Sequence, residues 1–387
     1  MQKAARFCSR ILALACVALS SAPLAAAQAS QPVIVAYVFP RDAQIEPGDI
    51  AAQKVTRINY AFANIANGRI VNGYSHDDQN LAALVALKRQ NPSLTVLASV
   101  GGWLWSYGFS DMALTHESRA VFIRSVADYV TQHQLDGLDI DWEFPGMPGA
   151  QPKFRVEDKQ NYTLLVKELR ARFNKLERKL HRKLYITVAT GSGTDFLEHT
   201  EMALVARYVD TVNLMAYDYY EPGPGSMTGN HAPLYTDAAD PRQASADDSV
   251  RNYIKAGVPA DKIVLGVPFY GHAWGQVPDV NHGLFQPGAE IPGAYALYSD
   301  SLSVAKQAGF VRYWDAASDA PSLYNAEKQV FISYDDPESL ALKCKYILDH
   351  KLRGVMFWTY ESDGTGELLN AVDAGLGRSA SAGSGGK

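Results

Sequence analysis

Short apolar and β-branched runs alternate along the chain with longer stretches whose apolar residues recur at helical spacing. The runs are VIVAYVF from Val33, RINYAFANI from Arg57, LTVLASVGGW from Leu94, LDGLDIDWEF from Leu135, LYITVAT from Leu184, DTVNLMAYDYY from Asp210, IVLGVPFYG from Ile263 and GVMFWTY from Gly354. Between them, SRAVFIRSVADYVTQH and NYTLLVKELRARFNKLERKL carry apolar stripes and charged outer faces, which predicts amphipathic helices. Apolar strands that alternate with such helices indicate a parallel sheet covered by helices. Eight strand–helix units in a chain of 387 residues fit a closed (β/α)8 TIM barrel. The rival, a doubly wound open sheet, ordinarily carries a glycine-rich phosphate loop after its first strand. No GxGxxG or Walker loop occurs, and GSGTDF at Gly191 follows the fifth run and lacks the third glycine. The barrel is the expected α/β fold.

One interval breaks the rhythm. The stretch between GVPFYGHAW and GVMFWTY is rich in Gly, Pro and Tyr and far too long for an ordinary strand–helix loop. It predicts a small α+β insertion domain between strands 7 and 8, over 272–331, on the C-terminal rim. The barrel would then occupy 28–271 and 332–376.

The ends read differently. Lys3, Arg6 and Arg10 precede the apolar run Ile11 to Leu19, and Ala25, Ala26 and Ala27 supply small residues for cleavage. That pattern predicts a secretory signal peptide over 1–27 and a protein secreted to the periplasm or beyond. The Gly/Ser-rich tail over 377–387 is expected to be disordered. Cleavage takes the formal charge from −5 to −8, which argues against nucleic acid and gives no support to an anionic membrane partner. It also leaves Cys344 alone, so no internal disulfide is expected. The mature chain is expected to be a soluble monomer.

Chemistry concentrates in LDGLDIDWEFPG, where Asp136, Asp139, Asp141 and Glu143 crowd together. Alternate residues of a strand share a face, so Asp139, Asp141 and Glu143 form a row, successive members about 6.6 Å apart along the backbone. Ile140 and Trp142 face the helices. The row runs toward the strand's C-terminal end, where barrel enzymes keep their chemistry. Carboxyls so aligned share a proton, and one still protonated near neutrality is a general acid. A calcium loop is excluded because Leu138 and Ile140 stand where ligands would be needed. The nine histidines show no HxH or HExxH pattern, so no metal site is expected.

DGLDIDWEFP resembles the DxxDxDxE signature of glycoside hydrolase family 18, the chitinases and their relatives. SVGGW, NYAFANI, LMAYD, GVPFYGHAW and GVMFWTYESD are similar to motifs of the third, second, sixth, seventh and eighth strands of that family, in order. The resemblance covers Val33 to Leu376. It implies a secreted hydrolase that cuts β-1,4 links between N-acetylglucosamine units of chitin, without a cofactor or metal. The substrate's own acetamido carbonyl would attack the anomeric carbon, giving an oxazolinium ion and net retention, with no carboxylate nucleophile. Glu143 would be the general acid and base, Asp141 would orient the acetamido N–H, and Asp139 would share its proton. Asp136 would support the strand rather than touch sugar. Tyr217 would hold the acetamido oxygen with Asp218 nearby, and Met215 would pack beneath its methyl. Trp358, Phe62 and Tyr37 would wall the pocket at the cleaved residue, with His272 and Trp274 as further sugar contacts. Trp103, Trp105, Tyr107 and Phe109 would be outer sugar platforms.

Two departures from the family pattern stand out. His272 replaces the Arg of YGRxW, exchanging a permanent cation for a side chain whose charge depends on pH. Phe144 replaces a common Tyr. Two rival functions remain: a non-catalytic chitin-binding lectin, against which Glu143 and Asp141 both stand, and an endo-β-N-acetylglucosaminidase acting on N-glycans.

Overall fold

Eight strands pair in parallel in chain order: β1 (Val33–Val38), β2 (Arg57–Ala66), β3 (Thr95–Gly101), β4 (Gly137–Asp141), β5 (Tyr185–Gly191), β6 (Thr211–Met215), β7 (Ile263–Pro268) and β8 (Gly354–Trp358). β1 pairs with both β2 and β8, which closes the barrel. The eight runs seen in the sequence are these strands. The computed structural model describes residues 31–377 apart from 47 and 151–152, and leaves out the side chains of 292–297. The signal-peptide reading of 1–27 and the tail beyond Gly377 lie outside the described residues. Among those described, no helix is long and apolar enough to cross a membrane.

Strand alternation sorts the core into two parts. Ile34, Ala36 and Val38 of β1, Val96, Ala98 and Val100 of β3, and Leu138 and Ile140 of β4 join one apolar shell with Phe122 and Val126 of the helix His116–Gln132 and Leu165 and Leu169 of the helix Asp158–Leu180. Each such side chain, fully buried, stabilises the fold by roughly 1.5–3 kcal/mol. The opposite parity points into the barrel, whose interior is itself divided. Val33, Val35, Tyr37, Val264 and Met356 make it apolar around β1, β7 and β8. Ser99, Asp139, Thr187 and Asn213, each with no exposed surface, make it polar from β3 to β6. Just before β4, Asp136 pairs with Lys88 and with Arg182 (3.0 Å) and accepts the Val96 N–H (2.8 Å). It ties the base of the strand and takes no part in the cleft above.

After β7 the chain builds a five-stranded antiparallel sheet, in the order Ala289–Leu297, Tyr270–Gly275, Val330–Ser333, Ala320–Asn325, Val311–Asp315, with the helix Tyr298–Ala305. Tyr220, Trp274, Val277, Tyr324 and Phe331 form its own core. The chain re-enters the barrel at Asp336, whose carboxylate accepts the Glu338 (3.0 Å) and Ser339 (3.1 Å) N–H groups and caps the helix Pro337–Asp349. Beside it, buried Lys343 pairs with Asp335 and donates to the Ala232 carbonyl (2.7 Å), tying this junction to the long loop after β6.

Candidate active site

The C-terminal ends of the strands open into a cleft of about 880 Å³, with Tyr270 and His272 of the inserted sheet on one side. The carboxyl row rises through its floor. Asp139 lies deepest and accepts hydrogen bonds from the Tyr37 (2.9 Å), Ser99 (2.7 Å) and Thr187 hydroxyls and the Asn213 amide (3.2 Å). Ser99 and Thr187 sit directly beside it in register on β3 and β5. Burial pushes its carboxyl pKa up, against the pull of the hydrogen bonds from Thr187, Ser99 and Tyr37. Tyr37→Phe removes a donor from Asp139 and an acceptor from Asn213, whose amide donates to the same hydroxyl (3.0 Å). It is expected to lower the unfolding free energy in urea by about 1–3 kcal/mol, the cost of unmatched buried polar atoms. A loss below about 0.5 kcal/mol, ordinary for a surface site, would show that the network does not depend on this hydroxyl.

One layer higher, Asp141 is flanked in register by Gly101 and Ala189. Gly101 has φ +107°, and a Cβ there would lie 2.2 Å from the Asp141 carbonyl oxygen, so the close approach of β3 requires glycine. Asp141 Oδ1 is buried with no hydrogen-bond partner among the described residues. Burial first, then the neighbouring Glu143 and Asp139, drive this carboxyl well above the usual range.

Glu143 follows the end of β4. Its backbone N–H donates to Ser106 Oγ (2.9 Å), and the Ser106 hydroxyl reaches the carbonyls of Gly102 (2.9 Å) and Asp141 (3.1 Å). The loop after β3 thereby fixes the backbone on which the acid stands. Burial, with the charges of Asp218 and Glu221, raises its carboxyl pKa to about 8. Trp142 points away into the shell and stacks on Phe109 at 5.0 Å between centroids. Phe109, expected as an outer platform, is therefore core and never reaches the cleft.

An aromatic wall faces the acids. Trp358 stacks on Phe62 at 5.4 Å and meets Tyr37 at 5.9 Å, so the structure brings these three together. Phe39 joins them, 5.4 Å from Trp358, although the sequence reading passed over it. Met215 and Tyr217 also line the cleft. Tyr217 packs edge-on against Tyr270, and its hydroxyl faces Met356 Sδ at 4.0 Å. Trp103 stands half exposed at the mouth, and Trp105 packs on Tyr74 (4.9 Å). Trp274 requires correction. It is wholly buried in the inserted sheet, its indole N–H donates to Ser226 Oγ (3.1 Å), and it does not line the cleft. It shares a face of the strand with His272 but lies one step further along it, past the cleft, where it joins the insertion's own core.

Asp218, held in left-handed backbone with φ +60°, closes the site. Its Oδ1 meets the Tyr270 hydroxyl (2.7 Å), His272 Nε2 (2.8 Å) and His231 Nδ1 (3.5 Å). Burial alone would raise this carboxyl, but the two imidazoles outweigh it and hold the pKa well below the ordinary value. His231, Asn213, Ser99 and Ser106 were not singled out from sequence. Alternation along DTVNLMAYDYY places Asn213 on the same face as Met215 and Tyr217, a usable signal. Nothing local marked His231. Ligand atoms of Asp218, His231 and His272 all lie within 4.8 Å of one another.

The cleft thus joins an acid protonated near neutrality, two buried carboxyls beneath it and a stacked aromatic wall. That combination suits protonation of a leaving oxygen on a ring with apolar C–H faces. The comparisons agree with it. The model of "Glycosyl hydrolases family 18" matches residues 33–363. Chitinase A1 of Niallia circulans is 34% identical over 391 residues, covering 85% of this chain and 56% of that protein, so the chain spans little more than half of this relative's length. Among solved structures, a glycoside hydrolase family 18 N-acetylglucosaminidase from Paenibacillus barengoltzii is 39% identical at a TM-score of 0.80, covering 89% of this chain and 99% of that one. Chitinase ChiA74 from Bacillus thuringiensis is 31% identical at a TM-score of 0.84, covering 89% and 70%. A family model that matches nearly the whole barrel and a relative 34% identical over 85% of this chain lead to one conclusion: the chain belongs to the glycosyl hydrolases of family 18.

Proposed function

We propose that this chain is an exported chitinase that hydrolyses β-1,4 links between N-acetylglucosamine units with retention, through an oxazolinium intermediate. The observation that carries this reading is Glu143, half-buried just past the end of β4 in an open cleft with its pKa raised to about 8. An acid in that state donates a proton to the leaving oxygen at neutral pH and can take one back from water. Asp141, the last residue of β4, precedes it in the row with no partner for Oδ1 among the described residues, and orients the acetamido N–H. Tyr217 holds the acetamido oxygen over Met215, and Trp358 receives the sugar ring. Trp103 and Trp105 extend the aromatic surface along the cleft. The basic, apolar and small-residue order of 1–27 supports export.

A second reading follows from the Paenibacillus barengoltzii neighbour, an N-acetylglucosaminidase by name that matches along nearly its whole length. A time course on chitohexaose, with the anomers of the first products followed by NMR, separates the possibilities. Shorter oligomers formed as β-anomers are the expected result. Monomer alone from the outset would favour the N-acetylglucosaminidase, and α-anomers as first products would exclude participation of the acetamido group.

A further inference from the structure

We propose that Asp218, His231 and His272 form a binding site for one divalent transition-metal ion, for which Zn²⁺ is the probe. Two imidazoles and a carboxylate suit zinc, copper or nickel, whereas calcium and magnesium prefer oxygen ligands alone. Tetrahedral zinc with bonds of about 2.0–2.2 Å sets its ligand atoms roughly 3.3–3.5 Å apart. Asp218 Oδ1 lies 2.8 Å from His272 Nε2 and 3.5 Å from His231 Nδ1, so the observed distances bracket that separation.

Hydrogen bonding alone serves this cluster poorly. Three polar groups converge on one carboxylate oxygen, and the Tyr270 hydroxyl (2.7 Å) and His272 Nε2 make the two good contacts. His231 is left with the long one, although its ring is wholly buried, and its Nε2 has no hydrogen-bond partner among the described residues. A buried imidazole held by one long contact is costly as mere packing, and coordination through Nδ1 would replace that contact, leaving Nε2 as it is.

The fold holds the three ligands on separate segments. The His231 N–H donates to Ser333 Oγ (2.9 Å), and its carbonyl accepts the Tyr219 N–H (3.1 Å), which clamps the loop to the residue after Asp218. His272 is paired with Tyr295 on one side and Ser333 on the other inside the antiparallel sheet. Asp218 keeps 33% of its side-chain surface exposed and lines the cleft, which leaves a direction open for water as a fourth ligand. An ion there would lie in the same cleft as Glu143.

The test is calorimetric titration of the EDTA-stripped full chain with Zn²⁺, beside the His272→Arg and His231→Asn variants. One site per chain is expected in the unaltered protein. Each variant should weaken it by more than about 100-fold, beyond the loss usual for a residue that only supports a ligand. Co²⁺ should give the intense visible absorption of a tetrahedral ion, and both variants should lose it. Circular dichroism melting reports whether each variant folds, and His272→Arg decides the matter if His231→Asn does not. Unchanged Zn²⁺ affinity in His272→Arg, which would place the ion on surface histidines, or no site in the unaltered chain, overturns the proposal.

Discussion

Glu143→Gln is expected to slow the turnover of chitohexaose by about 10²–10⁴-fold, the range over which a positioned acid–base group contributes, while calorimetry still finds the oligomer bound. Glutamine keeps the shape of the side chain and leaves the backbone bond to Ser106 untouched, so the loss isolates the proton. The same group sets the pH response. With its pKa at about 8, the acid is lost as pH rises through that value, and kcat/KM of the unaltered chain should fall on the alkaline side. Its effect on stability has a definite sign. An unfolded glutamate titrates near ~4.3, so from there up to about 8 the folded state binds more protons than the unfolded one, and stability falls with rising pH across that window. Below it both states are protonated and nothing is lost. The glutamine variant should therefore melt higher than the unaltered chain at pH 8 and alike at pH 4. Turnover equal to that of the unaltered chain would remove Glu143 from the chemistry.

The features that sequence disclosed are those governed by local periodicity. The carboxyl row was visible because alternation along LDGLDIDWEF fixes which side chains share a face, and the barrel packs that face inward. Met215 and Tyr217 follow in the same way from the end of β6, whereas Phe62 has the parity of the shell residues Ile58 and Tyr60 and reaches the cleft through the register shift of β2 between Ala61 and Ala63. Periodicity does not say which of the aromatics after a strand turn back into the shell. Phe109 lies beyond the strand in a short helix and stacks on Trp142, while its neighbour Trp103 stands at the mouth. Trp274 sits in a strand of the inserted sheet on the same face as His272, and its burial was set by a core that no local pattern announced. His231 is harder still. Its meeting with Asp218 and His272 depends on the path of a long loop and on pairing with Ser333, a contact between distant parts of the chain. The network under Asp139 falls between these cases: Ser99, Thr187 and Asn213 each have the right parity, but only the register of β3 to β6 puts them around one carboxyl.

Asp141→Asn tests the other half of the proposed mechanism and should reduce kcat by about 10²–10³-fold, the loss found when one donor or acceptor aimed at developing charge is removed. Gly101 and Ala189 flank the position in register. Asparagine keeps the shape of the side chain between them but cannot carry the negative charge that would face the oxazolinium ion, nor share a proton with Asp139. Its effect should therefore be concentrated in the transition state. A thiazoline mimic of the intermediate is expected to bind the variant more weakly by nearly the same factor as kcat falls, because an analogue of the activated state reports the contacts made only there. Affinity for chitohexaose itself should change much less, since Trp358 and the aromatic wall proposed to receive the sugar are untouched. If oligomer and thiazoline affinities fell together, Asp141 would be a binding group for the ground state, and the acetamido group would lose its proposed partner. If neither fell while kcat did, the carboxyl would act elsewhere than on the acetamido group, and that part of the mechanism would be lost.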